Sequence, residues 1–352
     1  MTTNELTFTL PTLAGFTFRM FESDGDYVHI ARITSAMSDA DHLDFFPTAE
    51  WLKNFLESLP NTGLRRDMLI AEDATTGEPV AYGRVSRFEQ ADGTRRYDVT
   101  VRVHPNWRRR RVGITMSRWL EAHGRELNAT LAPNANTVFE TWADETQTGN
   151  VALLTREGYV PLRYGYEMTR ALDDVTPIPD FALPAGFEVR SAKPEHYRAV
   201  WDADVEAFRD HNGFSEPSEA RYEAWLKDPL GFQPDLWQVA WDVEKNEVAG
   251  MVQNFINHDD NKKLNRQRGY TEGISTRRPY RKLGLARALI CISLRMFKGM
   301  GMTEAALGVD ATNPTGALRV YEDCGFKPIK TEIVYQKKMT MDPSSGSGQA
   351  GR

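Results

Sequence analysis

Apolar and polar positions along this chain fall into short blocks whose period switches between two and about 3.6, which predicts strands alternating with amphipathic helices. Residues 15–19 alternate as a strand. Residues 25–37 and 48–59 carry apolar positions at helical spacing. Strands follow at 68–72, 79–88 and 95–103, the first two joined by the turn from Asp73 to Gly77. A basic loop at 105–112 leads into a helix from Gly113 to about Asn128. Then come a strand at 138–142, a helix at 150–157 and a strand at 159–169. Residues 173–184, with three prolines, predict a linker.

The same order then returns. Gly186-Phe187-Glu188-Val189-Arg190 echoes Gly15 to Arg19 at an offset of 186−15=171. Val248-Ala249-Gly250 echoes Val80-Ala81-Tyr82-Gly83, with 250−83=167 between the glycines, and Gly325-Phe326 echoes Gly158-Tyr159 with 325−158=167. One long offset shared by several landmarks predicts a duplicated domain. Two domains also suit a chain of 352 residues. The expected division is 1–172, a linker at 173–184, 185–341, and a Ser/Gly-rich, disordered tail at 342–352. The strand and helix order of each half implies an α/β chain with a mixed sheet between helices, and a ligand at the C-terminal end of a strand where a helix begins.

That junction is best formed in the second half. A β-prone run ending at Thr276 enters a basic loop and then a helix in which Leu285, Leu289, Ile292 and Met296 share one face. The unpaired N–H groups and positive dipole end of a helix N-terminus suit an anion. Gly284 and Ala286 let a phosphate approach the backbone, and Arg277, Arg278, Arg281 and Lys282 bring charge. The expected ligand carries a pyrophosphate.

Composition removes other classes. Hydrophobic residues make up 41% and the formal net charge is −6, so nucleic acid and membrane are not expected partners. The two cysteines, Cys291 and Cys324, lie in apolar helical patterns and read as buried thiols of a reducing compartment. No Cys/His spacing suggests a metal. Without a leader pattern or an 18-residue apolar run, the expected location is cytoplasmic.

Arg281-x-x-Gly284-x-Ala286, then Val309-Asp310-x-x-Asn313, then Tyr321-Glu322-x-x-Gly325-Phe326 resemble in order the motifs of the GNAT superfamily of N-acetyltransferases. The doubled arrangement, with Ala207-Phe208-Arg209-Asp210-His211 and Leu236-Trp237-Gln238-Val239-Ala240, resembles its tandem mycothiol synthase branch. The resemblance covers nearly the whole chain. It implies two tandem GNAT domains, each a mixed, mostly antiparallel sheet flanked by helices, and transfer of an acetyl group from acetyl-CoA to a primary amine of a polar small molecule by a monomer or homodimer. The implied coenzyme residues are Ile274, Ser275, Thr276, Arg281, Lys282, Leu283, Gly284, Leu285, Ala286 and Asn313. Tyr321 holds the family position that protonates the departing thiolate. Glu272 stands where a family carboxylate collects the amine proton.

Each residue also has a structural reading. Tyr321 suits a partly buried core position, Glu272 a solvated strand, and Asn313 a helix cap before Pro314. The first half departs from the pattern, with Arg111 at the place of Gly284, Leu154 at that of Tyr321, and Val99, by counting, at that of Glu272. It reads as a degenerate copy. The helices containing Trp201 and Trp225 are expected to border the acceptor, and a polar loop at 258–268 to build part of its pocket. The alternatives are a non-catalytic acyl-CoA-binding protein and an acetyltransferase acting on a protein or peptide amine.

Overall fold

The computed structural model describes residues 9–312 and 316–340. Asn313 and the 342–352 tail lie outside them. The elements of the first half are β1 (Phe16–Met20), α1 (Gly25–Asp41), α2 (Ala49–Glu57), α3 (Leu64–Asp67), β2 (Met68–Asp73), β3 (Pro79–Glu89), β4 (Arg95–Val103), α4 (Val112–Ala129), β5 (Thr137–Asp144), α5 (Thr148–Arg156) and β6 (Val160–Ala171). The second half repeats that order, with a 3-10 turn at Pro234–Leu236 in the place of α3 and an added helix α8, as β7 (Phe187–Arg190), α6 (Tyr197–Phe208), α7 (Glu219–Leu226), β8 (Gln238–Asp242), β9 (Glu247–Phe255), α8 (His258–Lys263), β10 (Arg268–Thr276), α9 (Leu285–Gly299), β11 (Glu304–Asp310), α10 (Ala317–Asp323) and β12 (Lys327–Lys338).

Alternation places each strand between two helix layers. In β2, Met68 and Ile70 pack under α1 and α2, while Leu69 and Ala71 face α4. In β8, Val239 and Trp241 meet α6 while Ala240 meets α9. The helices therefore cover both faces of a mixed, mostly antiparallel sheet, in which β4–β5 and β10–β11 are the parallel neighbours.

The halves do not form separate sheets. All twelve strands join one sheet in the order β1-β2-β3-β4-β5-β12-β6-β11-β10-β9-β8-β7. The final strand of each half lies in the other's territory: β6 pairs with β11, and β12 pairs with β5. The two exchanged strands pair with each other at the centre.

Loops tie the halves further. Asp44, between α1 and α2, meets Arg266 at 2.6 Å, Arg268 at 3.1 Å and Lys330 at 3.2 Å. In the other direction the carbonyl of Phe214, between α6 and α7, accepts from the amide of Ala91 at 2.9 Å. The proline-containing 173–184 segment is strapped to the back of α9, where Arg295 holds Asp180 and Lys298 holds Asp174. Ile178, Phe181 and Leu183 pack on the core beneath it. Cys291 and Cys324 are both buried and free. No helix among the described residues is long and apolar enough to cross a membrane.

Candidate active site

Strands β10 and β11 pair only from Arg268–Tyr270 with Glu304–Ala306, and then part. Arg268 anchors the closed end through Glu304 and Glu167, both at 2.7 Å. At the open end β10 bulges between Glu272 and Ser275, with Gly273 at φ +53°. A Cβ on Gly273 would stand 3.0 Å from the Gln253 side chain, so conformation and space both favour glycine there.

Glu272 points across this gap and accepts a 3.0 Å hydrogen bond from the Gly308 amide. Burial pushes its carboxyl up to about 7; the Gly308 bond opposes that rise and the Glu167 charge adds to it. Its residue surface is nevertheless partly open to the adjoining cavity. Tyr321, on α10, is 6% exposed, and its phenol is pushed well above the usual tyrosine range by burial, then by the charges of Glu272 and Cys324. Tyr321 therefore keeps its proton at neutral pH.

Before α9, a 3-10 turn at Arg278–Tyr280 brings the chain to Arg281, with Lys282 at φ +65° and Gly284 at φ +92°. The first bond inside α9 runs from the Ala288 amide to the Gly284 carbonyl, which leaves the amides of Leu285, Ala286 and Arg287 at the mouth of the helix. The arginines are committed elsewhere. Arg281 binds Asp210 at 2.6 Å and the carbonyls of Ala207 at 3.0 Å and Thr276 at 3.1 Å. Arg278 also pairs with Asp210, and Arg277 pairs with Glu206 and Glu247. The two guanidinium groups hold the Asp210 carboxyl far below the usual carboxylate range. The Arg281 guanidinium thus braces the loop, which leaves the backbone amides and Lys282, whose side chain makes no ion pair among the described residues, as the groups free to meet an anion there.

Two cavities meet here. One of about 620 Å³ is lined by Ser275, Thr276, Arg281, Lys282, Gly284 and Ala286. The other, of about 740 Å³, contains Glu272 and Gly308 and runs under the exchanged strands to Arg102, Trp142 and Asp144 of the first half. His211, Ile274 and Tyr321 line both. Of the coenzyme residues expected from the sequence, Ile274, Ser275, Thr276, Arg281, Lys282, Gly284, Leu285 and Ala286 gather on the smaller cavity, whereas Leu283 is 50% exposed.

Other expectations are corrected. The 258–268 segment opens as the helix α8 and is held to the first half, with Lys263 on Asp39 at 3.1 Å. Of the two helices, α6 borders the larger cavity through its last residue, Phe208, with His211 just beyond it, whereas the side chains of Trp201 and Trp225 join an aromatic cluster with Tyr222. Asp310 also lines the cavity, with its carboxylate bonded by Thr312 and Asn212.

The first half preserves the loop's shape. After the turn Pro105–Trp107, Arg108 binds Asp41 at 2.6 and 2.8 Å, Arg109 has φ +62° and Arg111 φ +67°. Arg111 thus adopts the left-handed conformation of Gly284 but sets a long side chain at the helix mouth. Register also revises the Glu272 counterpart. The last paired residues are Asp98–Glu140 and Tyr270–Ala306, so two residues on, Thr100 matches Glu272 and Trp142 matches Gly308. The bulge beyond Glu272 adds the residue that made Val99 the choice by counting. The Val80 echo shifts likewise: bulges at Val80 and Ala249 put Gly250 opposite Ala81's place rather than Gly83's.

A further repeat was readable and was missed. Asp41-His42 and Asp210-His211 recur at 211−42=169, and each aspartate braces the arginine that opens its loop motif, Arg108 or Arg281.

This fold, with its parted strands and the unpaired amides at the mouth of α9, is that of an acyl-CoA-dependent transferase. The pattern of the acetyltransferase (GNAT) family matches residues 35–145 and 197–326, and the chain belongs to that family. It is thereby an acetyl-CoA-dependent N-acetyltransferase. Among individual proteins it is similar to a mycothiol acetyltransferase of Thermomonospora curvata, 29% identical over 242 residues, covering 67% of this chain and 72% of the relative. Its fold is similar to that of a GCN5-related N-acetyltransferase from Sphaerobacter thermophilus, with a TM-score of 0.65 and 24% identity over 95% of this chain and 99% of the other. A tandem GNAT protein from the clavulanic acid biosynthesis pathway superposes with a TM-score of 0.63 at 17% identity, covering 93% and 100%.

Proposed function

We propose that this chain moves an acetyl group from acetyl-CoA to a primary amine of a polar small molecule, with the second half as the catalytic unit. The units are 1–172 and 185–341, joined by the strap at 173–184. One observation carries this reading: the two cavities meet at Tyr321, and the proton-accepting carboxylate Glu272 lies on the side away from the phosphate loop.

Acetyl-CoA fits the smaller cavity. Its pyrophosphate would sit on the helix-mouth amides and Lys282, and the chain leading to its thioester would follow Ile274, Ser275 and Thr276, where β10 has left β11. The amine fits the larger cavity. Asp44, Asp144, Glu167, Glu272, Asp310 and Glu332 outnumber Arg102, Arg163 and Lys330 there, which favours a cationic acceptor. Glu272 takes the proton of the incoming ammonium, backbone N–H of β10 stabilises the oxyanion, and Tyr321 protonates the departing thiolate. The mycothiol acetyltransferase relatives support a small-molecule amine over a protein one. The first half, with Thr100, Trp142 and Leu154 at the reacting positions, supplies acceptor-cavity wall instead of a second centre.

The experiment is thiol release from acetyl-CoA with glucosamine, spermidine, glycylglycine and a lysine-containing peptide. Acceptor-dependent release with the small amines is expected. Affinity for acetyl-CoA without release for any amine would identify a binding protein, and release with the peptide alone would move the acceptor class.

A further inference from the structure

Acyl transfer to an amine must dispose of two protons. The ammonium R–NH3+ carries three hydrogens and the amide R–NH–CO–CH3 keeps one; the C–N bond forms, the C–S bond breaks, one proton ends on the coenzyme sulfur and one in solvent. Glu272 accounts for the proton lost before attack. The second leaves nitrogen after the C–N bond has formed, at the thioester, and Tyr321 must be reprotonated after giving its own to sulfur.

The thioester has to lie where the cavities meet, and that junction is lined by His211, Ile274 and Tyr321. Ile274 has no titratable group. We propose that His211 is a further catalytic residue, the acceptor of the second proton from the acetylated nitrogen, which it passes to Tyr321 and so to the thiolate. The proposal rests on the placement of acetyl-CoA and amine given above.

The chain around His211 holds it at that place. It lies three residues past the end of α6 at Phe208, its amide donates to the Phe208 carbonyl at 2.9 Å, and its ring lies 4.3 Å from the Phe208 ring. The neighbouring residue, Asp210, is clamped by Arg278 and Arg281, so the turn is fixed to the phosphate loop. The charged groups facing His211 are Arg281 from that loop, Asp310 from the end of β11 and Asp210 beside it. Burial, and next the Arg281 charge, lower its pKa from 6.5, against opposing contributions from Asp310 and Asp210, so the ring is neutral and able to accept at pH 7. In the first half the matching His42 is exposed, consistent with a centre that transfers no protons.

The test compares the intact chain with His211→Gln and His211→Ala, using whichever of the four amines releases thiol fastest. Expected is a fall in kcat of about tenfold or more in both, unchanged acetyl-CoA affinity by calorimetry, loss of an ionisation below pH 6.5 from the kcat profile, and partial rescue of His211→Ala by imidazole. Full kcat in His211→Gln, or a defect confined to acetyl-CoA affinity without imidazole rescue, overturns the role of His211 alone. No release by the intact chain with any amine overturns the functional reading and this proposal with it.

Discussion

The carboxylate of Glu272 accepts a 3.0 Å hydrogen bond from the amide of Gly308 across the open end of the β10–β11 pair. That bond sets a carboxyl, pushed up to about 7 by burial, on the wall of the larger cavity. As a base it must be ionised. The kcat/KM for the acceptor is therefore expected to rise with pH through about 7 and then level off, and Glu272→Gln to lose about a hundredfold. A rate independent of pH between 5.5 and 8 would remove Glu272 from the step.

The same group makes a stability prediction of opposite sign. Its folded pKa lies above the unfolded value near 4.5, so ionising it costs the folded state, and stability is lost as pH rises through about 7. Glu272→Gln removes that cost. The variant should melt higher than the parent at pH 8 and alike at pH 4.5, by calorimetry at both.

Tyr321→Phe keeps the buried ring and removes the proton. Thermal stability and acetyl-CoA affinity should stay near the parent values while kcat falls about a hundredfold or more. Unchanged turnover would return Tyr321 to a packing role.

Strand exchange predicts mutual dependence of the halves. Separated at the strap, 185–341 loses β6 from the edge of β11, and 1–172 loses β12 from β5. Exposed strand edges invite aggregation. Each fragment expressed alone should be insoluble or molten by near-UV circular dichroism, and the two co-expressed should copurify and regain activity. A stable, active 185–341 would refute it.

Much of this was legible in the chain. The element order and the basic loop before α9 follow from periodicity and spacing, which act locally, while the place of Tyr321 and the damage in the first-half loop follow from the resemblance to the GNAT motifs. What was not legible depends on partners. Alternation marks β6 and β12 as strands but is blind to which edge each one joins. A count of arginines cannot show that Asp210 and Glu206 occupy Arg278, Arg281 and Arg277. A one-residue bulge at Gly273 moves a register that sequence offsets treat as fixed. The larger cavity joins Glu272 to Trp142, and neither half alone would reveal it.

The loop from Arg281 to Ala286 carries the central claim. Nothing stands within 4 Å of a Cβ on Gly284, and Arg111 already adopts the same left-handed backbone, so Gly284→Arg should fold at a cost of about 1 kcal/mol. Calorimetric titration with acetyl-CoA of the intact chain, Gly284→Arg and Arg111→Glu tests it most directly. The expected result is one site per chain, abolished by Gly284→Arg and untouched by Arg111→Glu. Micromolar affinity retained in Gly284→Arg, or a second site lost in Arg111→Glu, would contradict the assignment.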